Sequence, residues 1–175
     1  MEERCDQFPN CADFSDEANC QLVVTPENYV PDYAPFFVND EGRLVKVAVK
    51  IKVDIISILD INEVDQKFVV QLNLHMSWYD YRLKFYNMKR NINMNTLTSD
   101  EKEGIWVPVI VFSNTKEKDT TLNDDKSYVV AERMAELEYS DETMMDNIFV
   151  FQGPDNPLVM SRVYYVNWIC NYKIA

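Results

Sequence analysis

The chain reads as an all-β protein, and three stretches carry that reading. From Leu44, the apolar residues Val45, Val47, Val49, Ile51, Val53 and Ile55 alternate with Lys46, Ala48, Lys50, Lys52 and Asp54, the period-two pattern of a half-buried strand. After the turn Asp60-Ile61-Asn62-Glu63, a second strand is predicted from about Val64 to Trp78, with Val70, Leu72 and Leu74 on one side. The two form a β-meander within a sandwich. Near the end of the chain, Asn147-Ile148-Phe149-Val150-Phe151-Gln152-Gly153 and Arg162-Val163-Tyr164-Tyr165-Val166-Asn167-Trp168-Ile169-Cys170 read as two further strands joined by a tight turn.

The remaining segments are less regular. Between Gln21 and Gly42, Pro26, Pro31 and Pro35 stand too close together for a helix interior, so residues 21–43 read as a linker that docks onto the next domain. Val107 to Phe112 is a short apolar run that reads as a strand. Residues 115–127 have no apolar period and form a charged surface loop. Val129 to Tyr139 fits either a helix, through Ala131, Met134, Ala135 and Leu137, or a strand edge.

Composition narrows the function classes. With 175 residues, 47% of them hydrophobic and 13% aromatic, the chain is long enough for one well-buried domain and a small appendage. A net charge of −12, from 29 acidic against 17 basic residues, repels phosphate backbones and offers little attraction to anionic membranes. Nucleic acid is thereby excluded as a partner. No apolar run approaches the roughly 18 residues that cross a bilayer. The acidic start Met1-Glu2-Glu3-Arg4 has no basic and apolar regions of a secretory signal, so the natural N-terminus is expected upstream.

The chain also lacks the usual equipment of an enzyme. Gly42, Gly104 and Gly153 are its only glycines and His75 its only histidine, which excludes a glycine-rich phosphate cradle, a nucleophile elbow and a multi-histidine metal centre. His75, on a strand between Leu74 and Met76, reads as a surface or interface residue. Its chemistry also permits proton sensing.

The stretch from Cys5 to Cys20 is too poor in apolar groups to build a core and needs a cross-link or a metal to order it. Its succession Cys5, Asp6, Cys11, Asp13, Ser15-Asp16-Glu17 and Cys20 resembles the second half of an LDL-receptor class A module. The resemblance implies a Cys5–Cys20 disulfide, a closure worth about 3 kcal/mol on chain-entropy arithmetic. It also implies a calcium ion held by Asp6, Asn10, Asp16 and Glu17, hard oxygen ligands suited to that metal. Asn10 stands where the family usually has aspartate, and Gln7 where it usually has glycine. Cys11 is left without its usual partner, so the module is expected to continue upstream.

Two further strings carry a second resemblance. Trp78-Tyr79-Asp80-Tyr81-Arg82-Leu83, and then Ile105-Trp106-Val107-Pro108 running on to Asn114, resemble the extracellular ligand-binding domain of the Cys-loop, or pentameric, ligand-gated ion channels. The fold that this implies is an immunoglobulin-like β-sandwich, here partial. Residues 1–20 would be the module fragment, 21–43 the linker and 44–175 the N-terminal part of the receptor domain. The resemblance gives Trp78, Asp80, Arg82 and Leu83 an architectural role, favours a strand for Val129 to Tyr139, and places Ser57 to Val64 at the connection that faces the membrane-embedded part. It makes Cys170 the first cysteine of the signature loop. Val109 replaces the aspartate that helps to hold the binding loop in family members.

By the same resemblance the ligand-binding positions fall on Asn73, on the complementary face, and on Phe112 and Ser113, beside Asn114. A cationic ligand gains about 0.5 to 2 kcal/mol from each good aromatic contact, and two positions that are commonly aromatic in the family are polar here. An acetylcholine-like ligand is disfavoured, and its replacement is not identified. The resemblance implies a non-enzymatic subunit, assembled with homologous subunits into a pentamer that binds a small ligand at its interfaces. In the full-length protein it would lie on the extracellular face of the plasma membrane, attached only through a part beyond Ala175. The alternatives are a secreted, pore-less binding protein of the same fold and an inactive truncated product.

Overall fold

The computed structural model describes residues 12, 20–112, 115, 121–136 and 149–169, without the side chains of 121–126. Their architecture is the predicted one, all-β. The strands are β1 (Val23–Val24), β2 (Phe36–Val38), β3 (Leu44–Lys46), β4 (Lys50–Asn62), β5 (Lys67–Trp78), β6 (Lys84–Tyr86), β7 (Thr121–Ala131), β8 (Val150–Gln152) and β9 (Leu158–Ile169). A 3-10 turn at Ile92–Asn95 and one short helix, α1 (Ser99–Glu103), complete the described elements. The chain divides into two compact units.

The first unit comprises Met1–Ala48, Trp78–Val107 and Val130–Leu158. It holds a three-stranded antiparallel sheet of order β1-β6-β8 and the β2-β3 hairpin. Residues 21–43 thus contribute β1 and β2. In the hairpin turn, Asn39 Oδ1 accepts from the backbone N–H groups of Glu41 and Arg43, and Gly42 takes a left-handed φ of 75°, which glycine adopts without steric cost. The core of this unit is fastened by buried amides. Asn95 accepts from the Lys89 N–H at 2.7 Å and donates to the Lys89 carbonyl at 2.9 Å. Asn156 accepts from Met134 and Ala135 N–H and donates to the Gln152 carbonyl. Each side-chain amide ties backbone groups of separate turns together.

Helix α1 departs from the sequence expectation, which held no helix here. Its signal was present, because Thr98 and Glu101 form a capping box in which each side chain serves the other residue's backbone N–H, and the Thr-x-x-Glu spacing is legible in a sequence. Glu101 also accepts from the N–H groups of Leu22 and Val23 at 2.7 and 3.0 Å, tying β1 to the helix.

The second unit comprises Val49–Ser77, Pro108–Val129 and Val159–Ala175, and its strands belong to the four-stranded sheet of order β4-β5-β9-β7. The predicted meander is the β4-β5 hairpin, antiparallel from Lys50↔Ser77 to Asn62↔Lys67, with register irregularities between Ile55 and Ser57 and between Ile58 and Asp60. Within the hairpin turn, Asn62 Oδ1 accepts from the Asp65 N–H at 2.9 Å.

Several sequence expectations need correction. The strand predicted from Leu44 to Ile55 is broken, because Val47 N–H turns away to the Pro35 carbonyl. Nor is its apolar face half-buried: Ile51, Val53 and Ile55 are exposed, since β4 is an edge strand with β5 as its one neighbour. Val107 to Phe112 is irregular, with Pro108 unable to donate to a ladder. The charged stretch 115–127, predicted as a loop, contains the start of β7 at Thr121, and Thr115 forms a bridge to Trp168. The terminal strands β8 and β9 are not hairpin partners, since β8 pairs with β6 while β9 lies between β5 and β7.

Candidate ligand-binding site

The string that follows β5 is built around a buried carboxylate. Asp80 has a fully buried side chain and meets Arg82 Nη2 at 2.7 Å. Its Oδ1 accepts from the backbone N–H of Arg82 and from Arg82 Nε at 2.8 Å, a two-pronged pairing in which the planar guanidinium matches the carboxylate. Tyr29 closes the group. Its hydroxyl donates to Asp80 Oδ2 at 2.9 Å and accepts from Arg82 Nη2 at 3.2 Å and from the backbone N–H of Trp106 at 2.8 Å. The Arg82 guanidinium lies 4.2 Å from the centroid of the Tyr29 ring. Burial pushes the Tyr29 hydroxyl far above its ordinary pKa, and the Asp80 charge acts in the same direction. The hydrogen bond to Asp80 raises the Arg82 pKa further.

Tyr29 is the member of this network that sequence reasoning missed. A tyrosine in a proline-rich stretch carries no local signal of pairing with residues 51 and 77 positions away. Through it, the segment before β2 holds the start of the loop that leads to Phe112. A buried indole N–H calls for an acceptor, yet the buried Trp78 Nε1 has no hydrogen-bond partner among the described residues. The Trp78 ring stands edge-to-face with Trp106, centroids 6.0 Å apart, the arrangement that aromatic quadrupoles favour. Leu83 is buried, and its carbonyl accepts from Gly153 N–H at 3.0 Å. A Cβ on Gly153 would collide with the Asp80 carbonyl oxygen, so this crossing requires glycine.

Asn73 sits in the middle of β5, opposite Asp54 of β4. It is one of a row of polar groups: Ser161 Oγ donates to Asn73 Oδ1 at 2.9 Å, and Asn73 Nδ2 lies 3.2 Å from His75 Nε2. His75 Nε2 is 3.1 Å from Asp54 Oδ2, which also receives Lys52 Nζ at 2.9 Å. The hydrogen bond from Lys52 holds the Asp54 carboxyl below its ordinary pKa, and the charges of Lys52 and His75 act in the same direction. Two positions along β5, Gln71 donates to the Tyr165 hydroxyl at 3.1 Å and meets Ser57.

Phe112 lies elsewhere. Its ring meets Tyr164 with centroids 5.3 Å apart and Trp168 at 6.2 Å, and Trp168 in turn meets Phe68 at 5.3 Å. Side chains alternate across a strand, so Tyr164 and Trp168, at odd spacings from Ser161, stand on the face opposite Asn73. The structure therefore does not bring Asn73 and Phe112 together: within one chain they lie on opposite sides of β9. Ser113, Asn114, Cys170, and the calcium candidates Asp6, Asn10, Asp16 and Glu17 lie outside the described residues, as does Cys5. Cys20 is disulfide-bonded.

Residues 16–146 match the family model described as the neurotransmitter-gated ion-channel ligand binding domain, most of the chain's length. The chain belongs to this family. Two curated relatives accord with that membership. A glutamate-gated chloride channel of Drosophila melanogaster is 36% identical over 69 residues, which is 39% of this chain and 15% of that protein. The gamma-aminobutyric acid receptor subunit theta of Mus musculus is 34% identical over 110 residues, 62% of this chain and 16% of that subunit. The chain thus spans less than a fifth of the length of either relative. No helix among the described residues is long and apolar enough to cross a membrane.

Proposed function

We propose that this chain is the extracellular ligand-binding region of a subunit of a pentameric neurotransmitter-gated channel, binding a small ligand at the interfaces between subunits. The observation that carries this reading is the family match over residues 16–146, which spans the Asp80–Arg82–Tyr29 network and the loop that it holds. In this reading Asn73 lines the complementary side of the interface, and Phe112 and Ser113 belong to the principal side. The opposite faces taken by Asn73 and Phe112 support that division.

The chemistry around Asn73 favours a ligand recognised by hydrogen bonds over one seated on aromatic faces. Both ends of the Asn73 amide lie among polar partners, and Phe112 already packs its ring against Tyr164 and Trp168. The relatives' names, a glutamate-gated channel and a gamma-aminobutyric acid receptor subunit, make amino acids the first ligands to try. The acidic N-terminal stretch adds a calcium ion held by Asp6, Asn10, Asp16 and Glu17, with a Cys5–Cys20 disulfide, as a separate structural element.

A chimera tests the reading. Residues 16–146 replace the corresponding part of the ligand-binding region of the Drosophila glutamate-gated chloride channel, and currents are recorded from cells with the chimera at their surface. Currents evoked by glutamate, gamma-aminobutyric acid or another small amine or amino acid are expected, with sensitivity lost in Asn73→Ala. A chimera that reaches the surface and stays silent to the whole panel overturns the reading.

A further inference from the structure

One ring nitrogen in the polar row has two incompatible neighbours. His75 Nε2 lies 3.2 Å from Asn73 Nδ2, which can only donate, and 3.1 Å from Asp54 Oδ2, which as a carboxylate can only accept. An imidazole nitrogen carries either a lone pair or a proton. It therefore serves one of these neighbours at a time, and protonation of the ring decides which.

We propose that His75 is a positioning residue that sets, by its protonation, which end of the Asn73 amide is available to a bound ligand. When the ring is neutral with its proton on Nδ1, Nε2 accepts from Asn73 Nδ2, and Asn73 Oδ1 accepts from Ser161 Oγ at 2.9 Å. Asp54 is then served by Lys52 at 2.9 Å. When the ring takes up a proton, Nε2–H donates to Asp54 in a charge-assisted bond. The Asn73 NH2 group now faces another donor. Rotation of the amide by half a turn relieves the conflict, placing Oδ1 toward Nε2–H and Nδ2 toward Ser161 Oγ, a hydroxyl that accepts as readily as it donates. Histidine is the side chain whose ordinary chemistry places such a change between about pH 5 and 8.

The surroundings permit the exchange. The His75 side chain is 32% exposed and that of Asp54 42%, so protons reach both from solvent. On β4, Lys50, Lys52 and Asp54 share the face of His75, with Lys52 directly opposite it. Lys67, Gln71, Asn73 and Ser77 are the other polar groups of β5 on that face, and β9 presents Ser161 and the Tyr165 hydroxyl. Arg162, next to Ser161 in β9, takes the other face by alternation.

The inference rests on the reading of Asn73 as a ligand-facing residue, but its test needs no ligand. The full 15N-labelled chain is titrated from pH 8 to pH 5 while the His75 ring nitrogens and the Asn73 side-chain NH2 are followed by NMR, with Asn73→Asp fixing the assignment. The expected result is a neutral ring protonated on Nδ1, and Asn73 NH2 resonances that shift with the same midpoint as the ring. In His75→Gln those resonances stay constant with pH. A neutral ring protonated on Nε2, or Asn73 resonances that stay fixed while His75 titrates, overturns the proposal. Should His75→Gln fail to fold, the wild-type titration decides by itself, since Asn73 resonances that ignore the His75 transition overturn the switch. Either failure leaves the channel reading intact, and a silent chimera leaves the switch intact.

Discussion

Strands β4 and β5 are neighbours with nearly the same pattern and opposite fates. In β5, Leu72, Leu74 and Met76 are at most 5% exposed, whereas their register partners in β4, Ile55, Val53 and Ile51, are 67%, 54% and 56% exposed. Alternation shows which face of a strand is apolar. It does not show whether anything lies over that face, and an edge strand is where the two diverge. The contrast extends to the charges beside each strand. Asp80, just beyond β5, has a buried side chain bound by Arg82 and Tyr29, while Asp54 on β4 pairs with Lys52 in the open.

The largest predicted effect tests the charged half of this contrast. Arg82→Ala leaves a buried carboxylate without its cation and is expected to cost about 3–5 kcal/mol of stability. Lys52→Ala on the exposed pair is expected to leave the urea midpoint of the chain unchanged, because solvent screens such pairs and holding the side chains in place offsets the attraction. Equal shifts in the two urea midpoints would show that Asp80 is hydrated in solution.

The apolar half is tested by one register pair. Met76→Ala is expected to cost about 2–5 kcal/mol by opening a cavity, whereas Ile51→Ala, directly across the ladder, is expected to stay within about 0.5 kcal/mol, as exposed substitutions do. If both cost several kcal/mol, the β4 face is covered in solution. If neither does, the β5 face is not packed.

Much of this was legible in the residues, for reasons that differ from place to place. The period-two runs of β4 and β5 announce themselves, and so do Trp78, Asp80, Arg82 and Leu83, because each demands an environment that only a few arrangements satisfy. The break at Val47 was not legible, since it depends on the Pro35 carbonyl, which no local pattern ties to it. Strand β7 was hidden beneath charged residues that make 115–127 look like a loop, and tertiary pairing with β9 overrode that composition. At the candidate site, Asn73 was found by its place before Trp78. Its polar neighbours were not, because Ser161 lies 88 positions away in sequence.

Tyr29 gives the finest test, because it carries into the half-buried range the rule that separates the two strands. Tyr29→Phe keeps the ring against Arg82 but removes the hydroxyl that serves Asp80, Arg82 and the Trp106 N–H. At neutral pH it is expected to cost about 1–3 kcal/mol, the range for leaving buried partners unsatisfied. The pH dependence follows from the raised pKa. Below the unfolded tyrosine value, about 10, the hydroxyl is protonated in both states and its contribution is fully present. Above it the unfolded chain releases this proton while the folded chain retains it, so stability falls as the pH rises further. Urea unfolding at pH 8 and at pH 11 should show the wild type losing more stability between the two than Tyr29→Phe loses. Equal losses would mean that the Tyr29 hydroxyl is open to solvent and that the loop beginning at Trp106 is held by something else.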